Sequence, residues 1–195
     1  MSSEKLDTLE AAVRAKLDDP DLTRMGDALV LRIAPEQVVE TLTRLRDGAD
    51  TDFKQMIDIT GVHYPKREKP FDVVYQLLSV YKNHRLRIKV AVAEEESMPS
   101  VIEVYTCANW FERETYEMFG VLFTGHPDLR RLLTDYDFEG YPLRKDFPLV
   151  GEYELFYDEK LKRVVRKPNQ LTHENKTREN RLYYQPDPSG SGAGQ

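Results

Sequence analysis

Residues Asn109–Gly120 read NWFERETYEMFG, with Glu112, Arg113, Glu114 and Glu117 set among Trp110, Phe111, Tyr116, Met118 and Phe119. Carboxylates beside a guanidinium, among rings that keep water out, could make a proton-transfer site, half of a metal site, or an anchor for another polypeptide. At 100° per residue, Arg113 and Glu117 share one helix face at i, i+4, and Glu114 stands beside Glu117 at i, i+3. A carboxylate-bridged metal site draws Glu-x-x-His from one helix, and this stretch holds no histidine. His126 follows closely, but Gly120, Gly125 and Pro127 leave its orientation open. A metal enzyme built on Glu114, Glu117 and His126 therefore lacks convergent ligands. Charges held between aromatics can instead fix the register of a contact. Arg113 and Glu114, flanked by rings, are expected in such a contact, while Glu117 is the residue most compatible with a solvated face.

A second charged cluster lies in Gly140–Leu149, GYPLRKDFPL. Pro142 and Pro148 exclude a helix, so Arg144, Lys145 and Asp146 are displayed on extended backbone between Leu143 and Phe147. A local ion pair there is worth little on an open surface and orients a contact when covered. No G-x-G-x-x-G after a strand, P-loop, G-x-S-x-G or H-E-x-x-H occurs. His63, His84 and His173 are isolated. Cys107 is the only cysteine, which excludes an internal disulfide, a multi-thiolate zinc site and an ordinary iron–sulfur cluster with its roughly four cysteine ligands. Its setting, YTCANW, marks a small core residue rather than an activated nucleophile. No catalytic, cofactor-binding or metal-binding residue is expected.

The elements that would carry these residues are legible in outline. Leu6, Leu9, Val13 and Leu17 recur at helical spacing before Asp18-Asp19-Pro20. Ala28–Ile33 is a strand candidate, and Pro35 opens a second helix that buries Val38, Leu42 and Leu45 and stops near Gly48. Phe53–Val62, Phe71–Tyr81 and Arg85–Val92 predict three strands in an antiparallel meander. In the last, Leu86, Ile88, Val90 and Val92 alternate with a basic face of Arg85, Arg87 and Lys89. Ser100–Glu103 has capping-box spacing for a short helix. Asn109 is expected to cap the charged helix, with Glu112 bonding back to it, and Gly120 to end it.

The expected fold is α+β: a two-layer domain with a mixed or antiparallel sheet covered by helices, then an extended irregular C-terminal arm. The boundaries read as 1–125 for the domain, 126–185 for the arm and 186–195 for a disordered tail. Six of eleven prolines fall after His126, yet the Leu, Phe and Tyr content of 128–165 calls for a covering surface.

Composition narrows the partners. A net charge of −6 and a pI near 5.4 argue against nucleic acid. The apolar runs fall well short of the roughly 18 residues of a membrane span. The start, MSSEKLDTLE, resembles neither a secretory signal nor a transit peptide, which points to a cytoplasmic-type compartment.

The run Glu112–Leu149, ERETYEMFGVLFTGHPDLRRLLTDYDFEGYPLRKDFPL, resembles the signature of the C-type (30 kDa-type) subunit of the proton-translocating NADH:quinone oxidoreductase, respiratory complex I. The matching elements are Glu112-Arg113-Glu114, Met118-Phe119-Gly120, Gly125-His126-Pro127 with Leu129-Arg130-Arg131, and GYPLRKDFP with Arg144, Lys145 and Asp146. Upstream, FKQMIDITGVHYP, FDVVYQLLSVYKNHRLRIKV and ANWFERE are similar too, so the resemblance spans about 28–165. LTDYDFEGYPLRKDFPL is nearest to the α-proteobacterial and mitochondrial form, and the start favours a bacterial or a mature chain. Beyond Lys167 the sequence departs from the family's endings. The resemblance implies a peripheral-arm subunit with no cofactor of its own, FMN and iron–sulfur clusters being held by other subunits. It implies docking on the D-type subunit that forms the quinone site, near the cluster-bearing B-type subunit. The place implied is the cytoplasmic side of the inner membrane, or the matrix side in mitochondria. The signature residues would then mark a subunit interface. The alternative is the equivalent subunit of a related membrane-bound hydrogenase or formate-linked complex.

Overall fold

The computed structural model describes residues 3–169 apart from 27, 136, 149 and 152; the expected disordered tail lies outside them. The chain divides between Phe147 and Pro148 into two units, whereas the sequence placed the end of the domain at 125.

The first unit is built on a five-stranded mixed sheet of order β1-β2-β5-β4-β3. Its strands are β1 (Asp21–Met25), β2 (Ala28–Ile33), β3 (Gln55–His63), β4 (Phe71–Ser79) and β5 (His84–Val92). The expected meander is present in β3-β4-β5, antiparallel throughout. β2 joins β5 in parallel, because α2 (Val38–Asp47) and β3-β4 intervene as a crossover. β1 forms a hairpin with β2 that the sequence does not predict: DLTRM has too little apolar alternation to announce itself.

One face of the sheet carries Leu29 and Leu31, Leu86, Ile88 and Val90, and Val73, Tyr75 and Leu77, all buried. On it lie α1 (Ser3–Lys16) through Leu6, Leu9 and Val13, and α2 through Val38, Leu42 and Leu45. A 3-10 turn at Pro35–Gln37 starts α2, where proline's missing N–H costs nothing.

The charged helix is α3 (Ala108–Phe119), framed by the short parallel pair β6 (Ser97–Pro99) and β7 (Leu122–Thr124). It packs along β3. A register irregularity between Met56 and Asp58 keeps both Met56 and Ile59 on the core face. The Thr115 hydroxyl donates to the Ile59 carbonyl at 3.1 Å, satisfying part of the β3 edge. Gly61 allows the helix end to come close: a Cβ there would stand 2.6 Å from the Phe119 ring.

Two helix-end expectations are corrected. Ser100–Tyr105 forms turns rather than a helix, because the Ser100 side chain is engaged with Glu112. The N-cap of α3 is Cys107, without a side-chain cap, and Asn109 lies inside the first turn. Gly120 does end the helix, left-handed at φ 80°.

In the second unit, β8 (Tyr153–Asp158) and β9 (Arg163–Pro168) form an antiparallel hairpin where the sequence predicts irregular backbone. Tyr153, Leu155, Tyr157 and, opposite Tyr157, Val164 share one face, and all four are exposed.

Gly61→Ala should destabilise the chain by about 1–3 kcal/mol through overpacking against Phe119, read as a lower urea midpoint. An unchanged midpoint would show that the helix–strand approach is not close.

Candidate functional site

On α3, three charged side chains are buried: Glu112, Arg113 and Glu117. Each reaches backbone outside the helix. Glu117 Oε2 accepts the N–H groups of Leu132 and Leu133 at 2.7 and 2.8 Å, and Oε1 that of Thr134 at 2.6 Å together with the Thr134 hydroxyl. One turn back, Arg113 Nε donates to the Arg130 carbonyl at 3.1 Å and Nη2 to that of Arg131 at 3.3 Å. The i, i+4 pair thus grips one loop: the cation takes carbonyls from 130 and 131, and the anion takes amides from 132 to 134. The two do not pair with each other, and the Arg113 guanidinium lies 5.3 Å from the Trp110 ring centroid.

Glu112 holds the loop before the helix, accepting from Ser100 Oγ at 2.6 Å and Val101 N at 2.7 Å. It bonds to Ser100 and Val101 rather than back to a cap at Asn109.

The two carboxylates titrate oppositely. Burial pushes Glu112 above its ordinary value and outweighs the bonds from Ser100 and Val101 and the nearby His126. Burial also acts upward on Glu117, but the Thr134 hydroxyl and the three amides outweigh it and hold the group below the usual carboxylate range.

The downstream signature residues extend the grip. His126 Nδ1 accepts the Asp128 N–H at 3.0 Å, so in the neutral ring Nε2 carries the proton and donates to the Asn109 carbonyl at 3.1 Å. Pro127 and Arg130 are exposed, and Arg130 pairs with Asp128 at 2.9 Å. Arg131 donates to the Gly140 carbonyl at 3.0 Å beside the rings of Phe138 and Tyr141. Arg144 Nε donates to the Phe119 carbonyl at 2.6 Å, with its guanidinium between the rings of Tyr141 (4.4 Å) and Phe71 (4.8 Å). Glu94 meets its outer nitrogen at 2.8 Å. Glycine is favoured at Gly120, where the backbone is left-handed and a Cβ would stand 2.7 Å from the Tyr141 ring. The Lys145 N–H is accepted by Nδ1 of buried His63 at 2.9 Å, and Asp146, mostly exposed, stands 3.7 Å from the same nitrogen.

One assignment reverses. Glu117 is the buried anchor, and Glu114 is exposed on the outer face of α3 with Trp110. Glu114, Glu117 and His126 do not converge: His126 and Glu117 bind separate backbone segments. Among the described residues no three His, Cys, Asp or Glu side chains form a group that could hold a metal. Cys107 is exposed rather than a core residue, and partial burial of its thiol pushes its pKa up. As partners of the signature residues, Ser100, Thr134, Phe71 and His63 escaped the sequence reading. Their signal is contact with residues 12 to 82 positions away, which no local pattern carries.

With this geometry in place, the family model for the respiratory-chain NADH dehydrogenase 30 kDa subunit matches residues 31–153. The chain belongs to this family. It is 50% identical over 174 residues to the C-type subunit of the NADH-quinone oxidoreductase of Chelativorans sp. (strain BNC1), covering 88% of this chain and 87% of that one. The corresponding subunit of Brucella abortus (strain 2308) is 49% identical over 176 residues, covering 89% and 87%. Among solved structures, a chain of the membrane-bound sulfane sulfur reductase, an archaeal respiratory membrane complex, superposes with a TM-score of 0.65 at 25% identity, covering 75% of this chain and 87% of that chain. The protein is thus a subunit of a multi-subunit oxidoreductase of the complex I type. Among the described residues no helix is long and apolar enough to cross a membrane.

Glu117→Gln replaces one oxygen with a donor that faces converging N–H groups, and should cost about 1–3 kcal/mol at pH 7. The folded value of Glu117 lies below its unfolded one, so its stabilisation is present above the ordinary carboxylate value and lost as pH falls through the folded value. The gap between wild type and Glu117→Gln should therefore close on acidification. For Glu112 the sign is opposite, because its folded value is raised and ionisation costs the fold. Glu112→Gln, whose amide can serve Val101 and Ser100, should stay within about 1 kcal/mol of wild type at pH 7. Urea midpoints across pH check both; equal losses for the two variants would contradict the assignment.

Proposed function

We propose that this chain is a cofactor-free docking subunit in the peripheral arm of an NADH:quinone oxidoreductase. It seats on the D-type subunit that forms the quinone site, near the B-type subunit, on the cytoplasmic side of the inner membrane, or on the matrix side in a mitochondrion. It supports electron transfer from NADH to quinone by positioning its neighbours, while FMN and iron–sulfur clusters are held by other subunits. One observation carries this reading: the buried charges of the signature helix are committed to the chain's own backbone, leaving none poised for chemistry. Groups that do face outward are of the docking kind. Trp110 and Glu114 lie on the outer face of α3, and the β8–β9 hairpin exposes Tyr153, Leu155, Tyr157 and Val164. A two-stranded hairpin is marginal in water by itself and gains from a covering surface.

The likeness to the sulfane sulfur reductase chain favours a second reading, an equivalent subunit in a related membrane-bound complex such as a hydrogenase. The NADH-quinone oxidoreductase relatives, near 50% identical over most of the chain, weigh more.

Leu155→Asp and Trp110→Ala should each lower the amount of assembled complex in membranes, with NADH:quinone turnover per assembled complex near wild type. Normal assembly with abolished quinone reduction would instead place these residues in the chemistry. Co-purification with a nickel–iron hydrogenase subunit in place of NADH-dehydrogenase partners would move the assignment to the second reading.

A further inference from the structure

The sheet has a second face that the core does not use. Val30 and Val74 are buried there, yet neither belongs to the core cluster. By register, Val30 lies beside Thr23 and Arg87, and Val74 beside Lys89 and Thr60. Aliphatic stems of long cationic side chains can shield such valines while their heads stay in water.

The central strands β2 and β5 place Arg32, Arg85, Arg87 and Lys89 together on this face, Arg32 being directly opposite Lys89. In a chain of net charge −6 that is a local excess of cations. Among the described residues only Lys89 of the four has a carboxylate partner, Asp72 at 3.7 Å, and Asp72 also takes Arg67 at 3.3 Å. The three arginines meet neutral acceptors there: Arg32 with Thr23, Arg85 with Asn83 and Arg87 with Gln76, at 3.0, 3.2 and 3.5 Å. Asp21 and Asp58 stand on the flanking strands, and neither forms an ion pair with them. At one end of the face Met25 is half exposed, and the turn joining β4 to β5 carries Tyr81, 91% exposed. Arginine, methionine and tyrosine are the types enriched at protein interfaces, and unpaired guanidinium forks match carboxylates bidentately.

We propose that this helix-free sheet face is a protein-docking surface for a carboxylate-rich patch on another subunit of the assembly. It draws on other residues than those of the hairpin and the outer face of α3, and it does not depend on which subunit holds the quinone site. An anionic bilayer is the weaker partner, because a protein of this net charge is repelled by it.

The test uses the membrane-bound complex. Arg87→Lys keeps the cation and adds a couplable amine; a carbodiimide should then join position 87 or Lys89 to an Asp or Glu of another subunit, identified by peptide mass spectrometry. Arg87→Glu should be released from washed membranes at roughly half the salt concentration that releases wild type, with Arg87→Gln between them, because such contacts are screened by salt. Coupling confined to Asp58 or Asp72 of the same chain would overturn the proposal, as would wild-type retention of the Arg87→Glu chain. So would salt-sensitive binding of the purified chain to protein-free phosphatidylglycerol vesicles that Arg87→Glu abolishes. Far-UV circular dichroism on each variant separates these outcomes from misfolding. Loss of assembly in the hairpin variants alone leaves this surface standing.

Discussion

A single carboxylate, that of Glu117, accepts three consecutive backbone N–H groups and a hydroxyl from a segment with no regular secondary structure. Backbone donors drawn in from water must find acceptors, and residues 132–134 have no strand to pair with. A charged acceptor fixed on a helix supplies them all at once, and ionised acceptors make the stronger bonds. Arg113 adds the complementary half by taking the carbonyls of residues 130 and 131. With those residues held, Arg131 can reach Gly140, and the stretch to Phe147 stays with the first unit although its described residues form neither helix nor strand. Arg144, between Phe71 and Tyr141, and His63, accepting from Lys145, then tie this stretch to the edge of the sheet.

Regular elements were legible because periodicity reports burial on a regular lattice. Leu86, Ile88, Val90 and Val92 alternate with Arg85, Arg87 and Lys89, and the strand lies where that alternation puts it. The parallel β2–β5 pairing was not legible, since local sequence says nothing about which strand a distant one joins. Around the charged helix, spacing correctly put Arg113 and Glu117 on one face but could not say what that face meets. Flanking aromatics suggested that Glu114 would be covered and Glu117 solvated, and the structure has the reverse. The deciding fact is the path of residues 130–134, which come back to the helix after left-handed turns at Gly120 and Gly125. Ser100–Glu103 shows the same limit: Ser100 has capping-box spacing, but its hydroxyl is used by Glu112 twelve residues on.

In function, charge crowding on α3 looks like an active site in one dimension and becomes internal scaffolding in three. Glu112 is strained electrostatically and Glu117 relieved: burial outweighs the two donors to Glu112, while four donors outweigh it at Glu117. Perturbed acids often mark chemistry, but burial accounts for the shift of Glu112 and the bonds to residues 132–134 for that of Glu117. The docking surfaces we propose are elsewhere, on the outer side of α3, the hairpin and the helix-free sheet face.

The most direct measurement is quinone reduction per assembled complex in membranes carrying Arg113→Gln with Glu117→Gln. If these charges only hold the 130–134 loop, the variant should assemble in lower amount while each assembled complex turns over at close to the wild-type rate. Full assembly with turnover lost would contradict the scaffolding role and put the helix in the reaction.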